Sequence, residues 1–75
     1  MNEIHIGKLI QIKLKEDGHS VVWLAKQIHC DRSNMYRIFN NRHIDPELLL
    51  RFCKIFNYDF FNHYSTFVRD NELII

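Results

Sequence analysis

Arg32 and Arg37 stand five residues apart with Ser33 and Tyr36 between them, a set of residue types and spacing suited to recognition chemistry. A guanidinium is a rigid fork of donors that binds guanine O6 and N7 with two parallel hydrogen bonds. The hydroxyls of Ser33 and Tyr36 can serve base edges or phosphate oxygens. Asn40, Arg42 and His43 follow directly and suit the grip of phosphate oxygens, as do backbone amides at helix starts. The chemistry implied is the binding of a polyanion rather than the making of bonds.

Bond-making chemistry finds little support. His5, His19, His29, His43 and His63 contain no His-x3-His pair, and Cys30 and Cys53 form no Cys-x2-Cys pair, so neither a metal nor a cofactor is expected. Ser20, Ser33 and Ser65 lack a glycine-rich elbow and a base at a telling spacing. Phosphate loops are absent, and a short helical chain has little room for a deep pocket. No enzymatic activity and no small-molecule substrate are expected. Cys30 and Cys53 read as small buried hydrophobes in a reducing cytoplasm.

The elements that must position the arginines follow from hydrophobic periodicity. With 75 residues the chain is expected to be one domain, and with 47% hydrophobic residues it can form a core. A first helix is predicted from about Glu3 to Asp17, with Ile6, Leu9, Ile10 and Leu14 inward and Gly18 as the stop. Ser20 reads as the cap of a second helix bearing Val21, Leu24, Ala25 and Ile28 inward. The pattern breaks at His29-Cys30, and Asp31 caps a third helix, Arg32 to Asn40, with Met35, Ile38 and Phe39 apolar. Asn40-Asn41 is expected to end it through a left-handed residue. Asp45, Pro46 and Glu47 are the cap, first position and acidic first turn of a fourth helix. Its stripe is Leu48, Leu49, Phe52, Cys53 and Phe56, and Asn57 ends it. A short fifth helix is predicted from Tyr58 or Asp59 to Tyr64. The expected fold is all-α, with four or five helices.

Charge is unevenly distributed. The net charge is only +1, yet residues 19–44 sum to +3, residues 1–18 to zero and residues 45–75 to −2. The positive charge lies in the middle of the chain, where an anionic partner would bind. The opening MNEIHIGKLI has no apolar signal core, and no stretch approaches the ~18 apolar residues of a membrane span. A cytoplasmic protein without membrane contact is expected.

A short helix, a turn of about three residues and a second short helix over Ser20 to Phe39 make the helix-turn-helix layout. In that layout the first helix crosses the phosphate backbone and the second enters the major groove, the groove in which all four base pairs can be told apart. The segment SVVWLAKQIHCDRSNMYRIF resembles the Cro and phage-repressor type of helix-turn-helix, the XRE family. The likeness rests on Ser20, Leu24-Ala25, Ile28, Cys30, Asp31, Met35 and Ile38. It extends to Pro46 and Leu49, to Ile6-Gly7 and to Asn57–Phe61, covering about residues 4–64. The resemblance implies a compact lambda-repressor-like domain. In it Arg32, Ser33 and Arg37 hold base-contacting positions, Tyr36 neighbours them in the groove, and Ser20, Asn40 and Arg42 touch the backbone. The chain departs from the family at three places. Val21 replaces a phosphate-contacting Gln, His29 a turn Gly, and Phe39 a Glu. At His29 a positive φ would be strained, though His tolerates it better than most residues.

A helix-turn-helix domain over residues 1–65 is therefore expected, its helix-turn-helix unit at about 20–40, followed by a tail over 66–75. Double-stranded DNA is the expected partner, in transcriptional regulation. Phe67-Val68 and Leu73-Ile74-Ile75 form a candidate homodimer patch in a tail that could equally be disordered or pack on the core. The alternative is a protein–protein module, or an antitoxin or mobile-element accessory protein on the same scaffold. An exposed cluster of Trp23, Phe60, Phe61 or Phe67 would favour it.

Overall fold

The computed structural model describes residues 4–70, and within them the chain is all α. Its helices are α1 (Ile6–Glu16), α2 (Val21–Gln27), α3 (Arg32–Asn40), α4 (Pro46–Phe56) and α5 (Phe61–Asp70).

The expected caps start three of these helices. Ser20 Oγ accepts from the Trp23 amide at 3.0 Å, and Asp31 Oδ1 from the Asn34 amide at 2.8 Å. Asp45 Oδ2 accepts from Glu47 and Leu48 at 3.0 and 3.2 Å, with Pro46 at the first helical position. Each bond satisfies a first-turn amide that has no partner inside its own helix.

Three helices end alike. Gly18, His29 and Asn57 take positive φ values of 76°, 59° and 52°. Each turns the chain so that the next amide reaches back five residues. His19 donates to Leu14, Cys30 to Ala25 and Tyr58 to Cys53, at 3.2, 3.0 and 3.0 Å. This is the Schellman arrangement, and it satisfies the last carbonyls of α1, α2 and α4. The turn between α2 and α3 is therefore built on a left-handed His29.

α3 ends differently from expectation. Asn41 is extended, with φ −84° and ψ 128°, not left-handed. The reason lies in α1. The Gly7 amide donates to the Asn41 carbonyl and the Ile6 amide to the Arg42 carbonyl, both at 3.1 Å. An extended Asn41 carries those carbonyls across the start of α1, where two unpaired amides need acceptors. Lys8, the third, donates to Nδ1 of His5 at 3.2 Å, so α1 begins at Ile6, later than the hydrophobic pattern suggests. The contact is so close that a Cβ on Gly7 would lie 2.5 Å from the carbonyl oxygens of Ile38, Phe39 and Asn41. Gly7 thus admits α3 and its loop onto α1.

The core draws on the expected stripes of the first four helices. Ile6, Ile10, Leu14, Leu24, Ala25, Ile28, Met35, Ile38, Phe39, Leu49, Phe52 and Phe56 are buried, and Phe60 joins them. Phe60 also explains why α5 starts later than predicted. Its ring meets those of Phe56 and Tyr58 edge-on at centroid distances of 5.7 and 4.8 Å. Tyr58 closes α4, and the Phe60 amide donates to Cys53 Sγ at 3.4 Å. Residues 58–60 thus form the bend that plugs the core, and the helix begins after it. α5 then continues to Asp70, so Thr66 to Asp70 are helical rather than tail. Phe67 is half-buried and Val68 exposed, while Leu73-Ile74-Ile75 lie outside the described residues.

Cys30 and Cys53 are half-buried free thiols, less enclosed than expected. Trp23 packs between two elements. It stacks on His19, with centroids 3.7 Å apart and planes 9° from parallel, and meets Phe56 of α4 edge-on at 6.3 Å. Lys13, paired with Asp17 at 3.4 Å, also lies over the Tyr58 ring at 4.7 Å, tying α1 to the bend before α5. No helix of the described residues is long and apolar enough to cross a membrane.

Candidate nucleic-acid interface

α3 is an amphipathic helix of nine residues held at both ends. Met35, Ile38 and Phe39 are buried, while Arg32, Ser33, Tyr36, Arg37 and Asn40 are exposed. At about 100° per residue the exposed side chains fall within one arc of roughly 140°, with Arg32 and Arg37 at its edges and Tyr36, Asn40 and Ser33 between. Along the axis the two arginines are separated by ~7.5 Å, close to two base-pair steps of ~3.4 Å. The four residues expected to touch bases therefore share one face.

Neither Arg32 nor Arg37 pairs with a carboxylate among the described residues. Arg32 instead lies over the ring of Tyr36, its guanidinium carbon 5.8 Å from the centroid. Tyr36 in turn leans edge-on against the buried Phe39, at 6.1 Å and 83°. Arg37 borders an open hollow at the start of α3 with His29, Cys30, Asp31, Ser33 and Asn34. The Asp31 carboxylate, at the start of α3, is held as its cap on the helix's own Asn34 amide.

The residues expected to touch phosphates are distributed over three elements. Asn40 is exposed at the last position of α3. Arg42 and His43 are exposed in the loop that caps α1, where the carbonyls of Asn41 and Arg42 accept from Gly7 and Ile6. Ser20 lies apart from these, at the start of α2. Its oxygen accepts from Trp23, which leaves its O–H as a donor. Val21, beside it, is half-buried and packs on the core, so it offers no polar contact.

One positioning residue is not legible from the sequence. Arg51, on α4, reads as one more surface cation, yet its Nη2 donates to the carbonyl of Ile28 at 3.2 Å. Ile28 ends α2, so a cation here meets the negative end of that helix and braces the turn into α3. A partner 23 residues away leaves no local pattern that could have revealed it.

Among the described residues no group of three or more His, Cys, Asp or Glu side chains could hold a metal ion. The aromatics largely serve the core: Phe60 is fully buried and Trp23 is half-buried between His19 and Phe56. Among the described residues the large exposed apolar side chains are Ile12, Val22, Tyr36, Leu50 and Val68. Comparison with protein-family models, curated proteins and solved structures finds no match to this chain.

Proposed function

We propose that this chain is a sequence-specific binder of double-stranded DNA that lays α3 in the major groove and regulates transcription in the cytoplasm, without enzymatic activity. The observation that carries the reading is the exposed arc of α3. It presents Arg32, Ser33, Tyr36 and Arg37 on one face, with both arginines unpaired with any carboxylate among the described residues. A groove about 12 Å wide admits one helix, and guanidinium groups aimed outward from that helix meet guanine edges. α2 braces α3 from behind, as the first helix of such a pair does. Ser20, Asn40, Arg42 and His43 offer donors for phosphates around it.

The resemblance to the Cro and phage-repressor type supports the same reading. One chain of this size makes a modest interface, and a homodimer on paired half-sites would enlarge it. Among the described residues the large exposed apolar side chains are distributed over α1, α2, α3, α4 and α5, while Phe60 is buried and Trp23, Phe61 and Phe67 are half-buried, so the exposed aromatic cluster that would favour a protein partner is not seen among them.

The test is binding to randomised duplexes across a salt series. Affinity is expected to fall linearly on logarithmic axes, with a slope of about −0.9 per phosphate neutralised. Arg37→Ala is expected to relax preference at one base position, with a loss of about 1–3 kcal/mol on the preferred sequence. A flat salt response from the folded chain overturns the proposal.

A further inference from the structure

Tyr36 has no helix-forming, capping or core duty that requires a tyrosine. It lies in mid-α3 and is 41% exposed, the one large apolar side chain displayed on the face that carries the two arginines. It is nonetheless held from two sides. Buried Phe39 meets its ring edge-on at 6.1 Å, and the Arg32 guanidinium covers it at 5.8 Å. A ring fixed in this way loses little conformational freedom on binding. Its neighbours also narrow what it would face, because a guanidinium 5.8 Å from the ring centroid keeps the two groups on base pairs no more than about two steps of ~3.4 Å apart.

The major-groove edges differ in one apolar feature. Thymine carries a C5 methyl group, whereas guanine and adenine present acceptors and donors, and cytosine a donor. A preset apolar ring beside a guanine-reading fork is matched by that methyl. Resting on the DNA-binding reading above, we infer that Tyr36 is the specificity residue for a thymine within two base pairs of the guanine taken by Arg32. The ring body makes the contact through its apolar surface, and the hydroxyl is not required. Arg32 gains from the same arrangement, since contact with the ring restrains a fork that resonance already keeps planar.

The experiment uses the full chain and duplexes. Sites selected from randomised DNA are expected to hold a thymine within two base pairs of the guanine whose preference is lost in Arg32→Ala. Replacing that thymine by uracil removes only the methyl group, and it is expected to weaken the wild-type protein about fourfold, the worth of one buried methyl. Tyr36→Phe is expected to show the same fourfold difference between thymine and uracil. Tyr36→Ala is expected to bind the two duplexes equally. Far-UV circular dichroism confirms that both variants are folded, as the exposure of Tyr36 leads one to expect. Equal wild-type affinity for thymine and uracil overturns the thymine assignment while leaving DNA binding in place. So does a Tyr36→Phe variant that loses the discrimination, since the hydroxyl would then carry the contact. Absence of any salt-dependent duplex binding overturns the DNA reading and the thymine assignment together.

Discussion

Arg51 and Ile28, 23 residues apart, are joined by a hydrogen bond of 3.2 Å from the guanidinium to the main-chain carbonyl. Ile28 is the C-cap of α2, just before the left-handed His29, so this bond fixes the point at which the chain leaves the bracing helix for α3. α4 thereby takes part in aiming α3 although none of its residues lies on the exposed arginine face.

Arg51→Gln should therefore behave unlike the loss of a DNA contact. The fold is expected to lose about 1 kcal/mol, less than the roughly 1.5–3 kcal/mol of a buried charge-assisted bond because Arg51 is exposed. DNA affinity should fall because α3 is less firmly aimed, but the salt slope should stay the same. Removal of a true phosphate contact would flatten the slope by about 0.9. Salt-titrated binding separates the two, and a flattened slope would place Arg51 on the phosphate backbone.

The glycines Gly7 and Gly18 should respond to alanine for opposite reasons. At Gly18 a Cβ meets nothing within 4 Å, and only the φ of 76° is unfavourable. About 1 kcal/mol is expected for Gly18→Ala, with DNA affinity unaltered. At Gly7 a Cβ meets three carbonyl oxygens at 2.5 Å, all of them backbone. Gly7→Ala is expected to destabilise by about 2–3 kcal/mol, as overpacking does, and to weaken DNA binding by displacing the loop that bears Arg42 and His43. Urea unfolding of both variants checks the order, which reverses if α1 can slide away from α3 without penalty.

Legibility in the sequence tracked the range of the interaction. Ser20, Asp31 and Asp45 bond to amides two or three residues on, so their cap roles follow from residue type and position alone. The face of α3 follows from helical periodicity, and with it the common exposure of Arg32, Ser33, Tyr36 and Arg37. Contacts across the fold leave no such trace. The extended Asn41 depends on amides of α1, the brace from Arg51 on a carbonyl of α2, and the late start of α5 on the burial of Phe60 against Phe56. Asn41 and Asn57 make the point together. Both are credible left-handed terminators, yet only Asn57 is one, because Asn41 owes its carbonyl to Gly7.

Tyr64 should set part of the alkaline limit of stability. Burial raises its hydroxyl above the ordinary value of 10.0. As pH rises, the unfolded chain ionises first and gains the advantage. The contribution from Tyr64 is thus level below about pH 10 and falls from there through the higher folded value. Urea midpoints for the wild type and Tyr64→Phe, compared at about pH 9 and about pH 11, should show a smaller alkaline loss for the phenylalanine variant. Equal losses would assign the alkaline sensitivity to other groups.

His29→Gly should stabilise the protein. His29 holds φ at 59°, a region that a side chain with a Cβ enters at a cost of about 1–2 kcal/mol and glycine enters freely. The gain is reduced because glycine also widens the unfolded ensemble, so about 0.5–1 kcal/mol should remain. For a domain this small that corresponds to a rise of roughly 2–8 °C in Tm. The side chain of His29 is exposed, and the bonds that shape the turn run through the Cys30 amide, the Ile28 carbonyl and the Asp31 cap, none of which needs the imidazole. Asn57→Gly, made at the equivalent position of α4, should gain less, because asparagine tolerates the left-handed region with its short polar side chain. Thermal unfolding of the two variants measures the difference. A lowered Tm for His29→Gly would mean that the imidazole supports the turn through its contacts, outweighing the strain of its backbone.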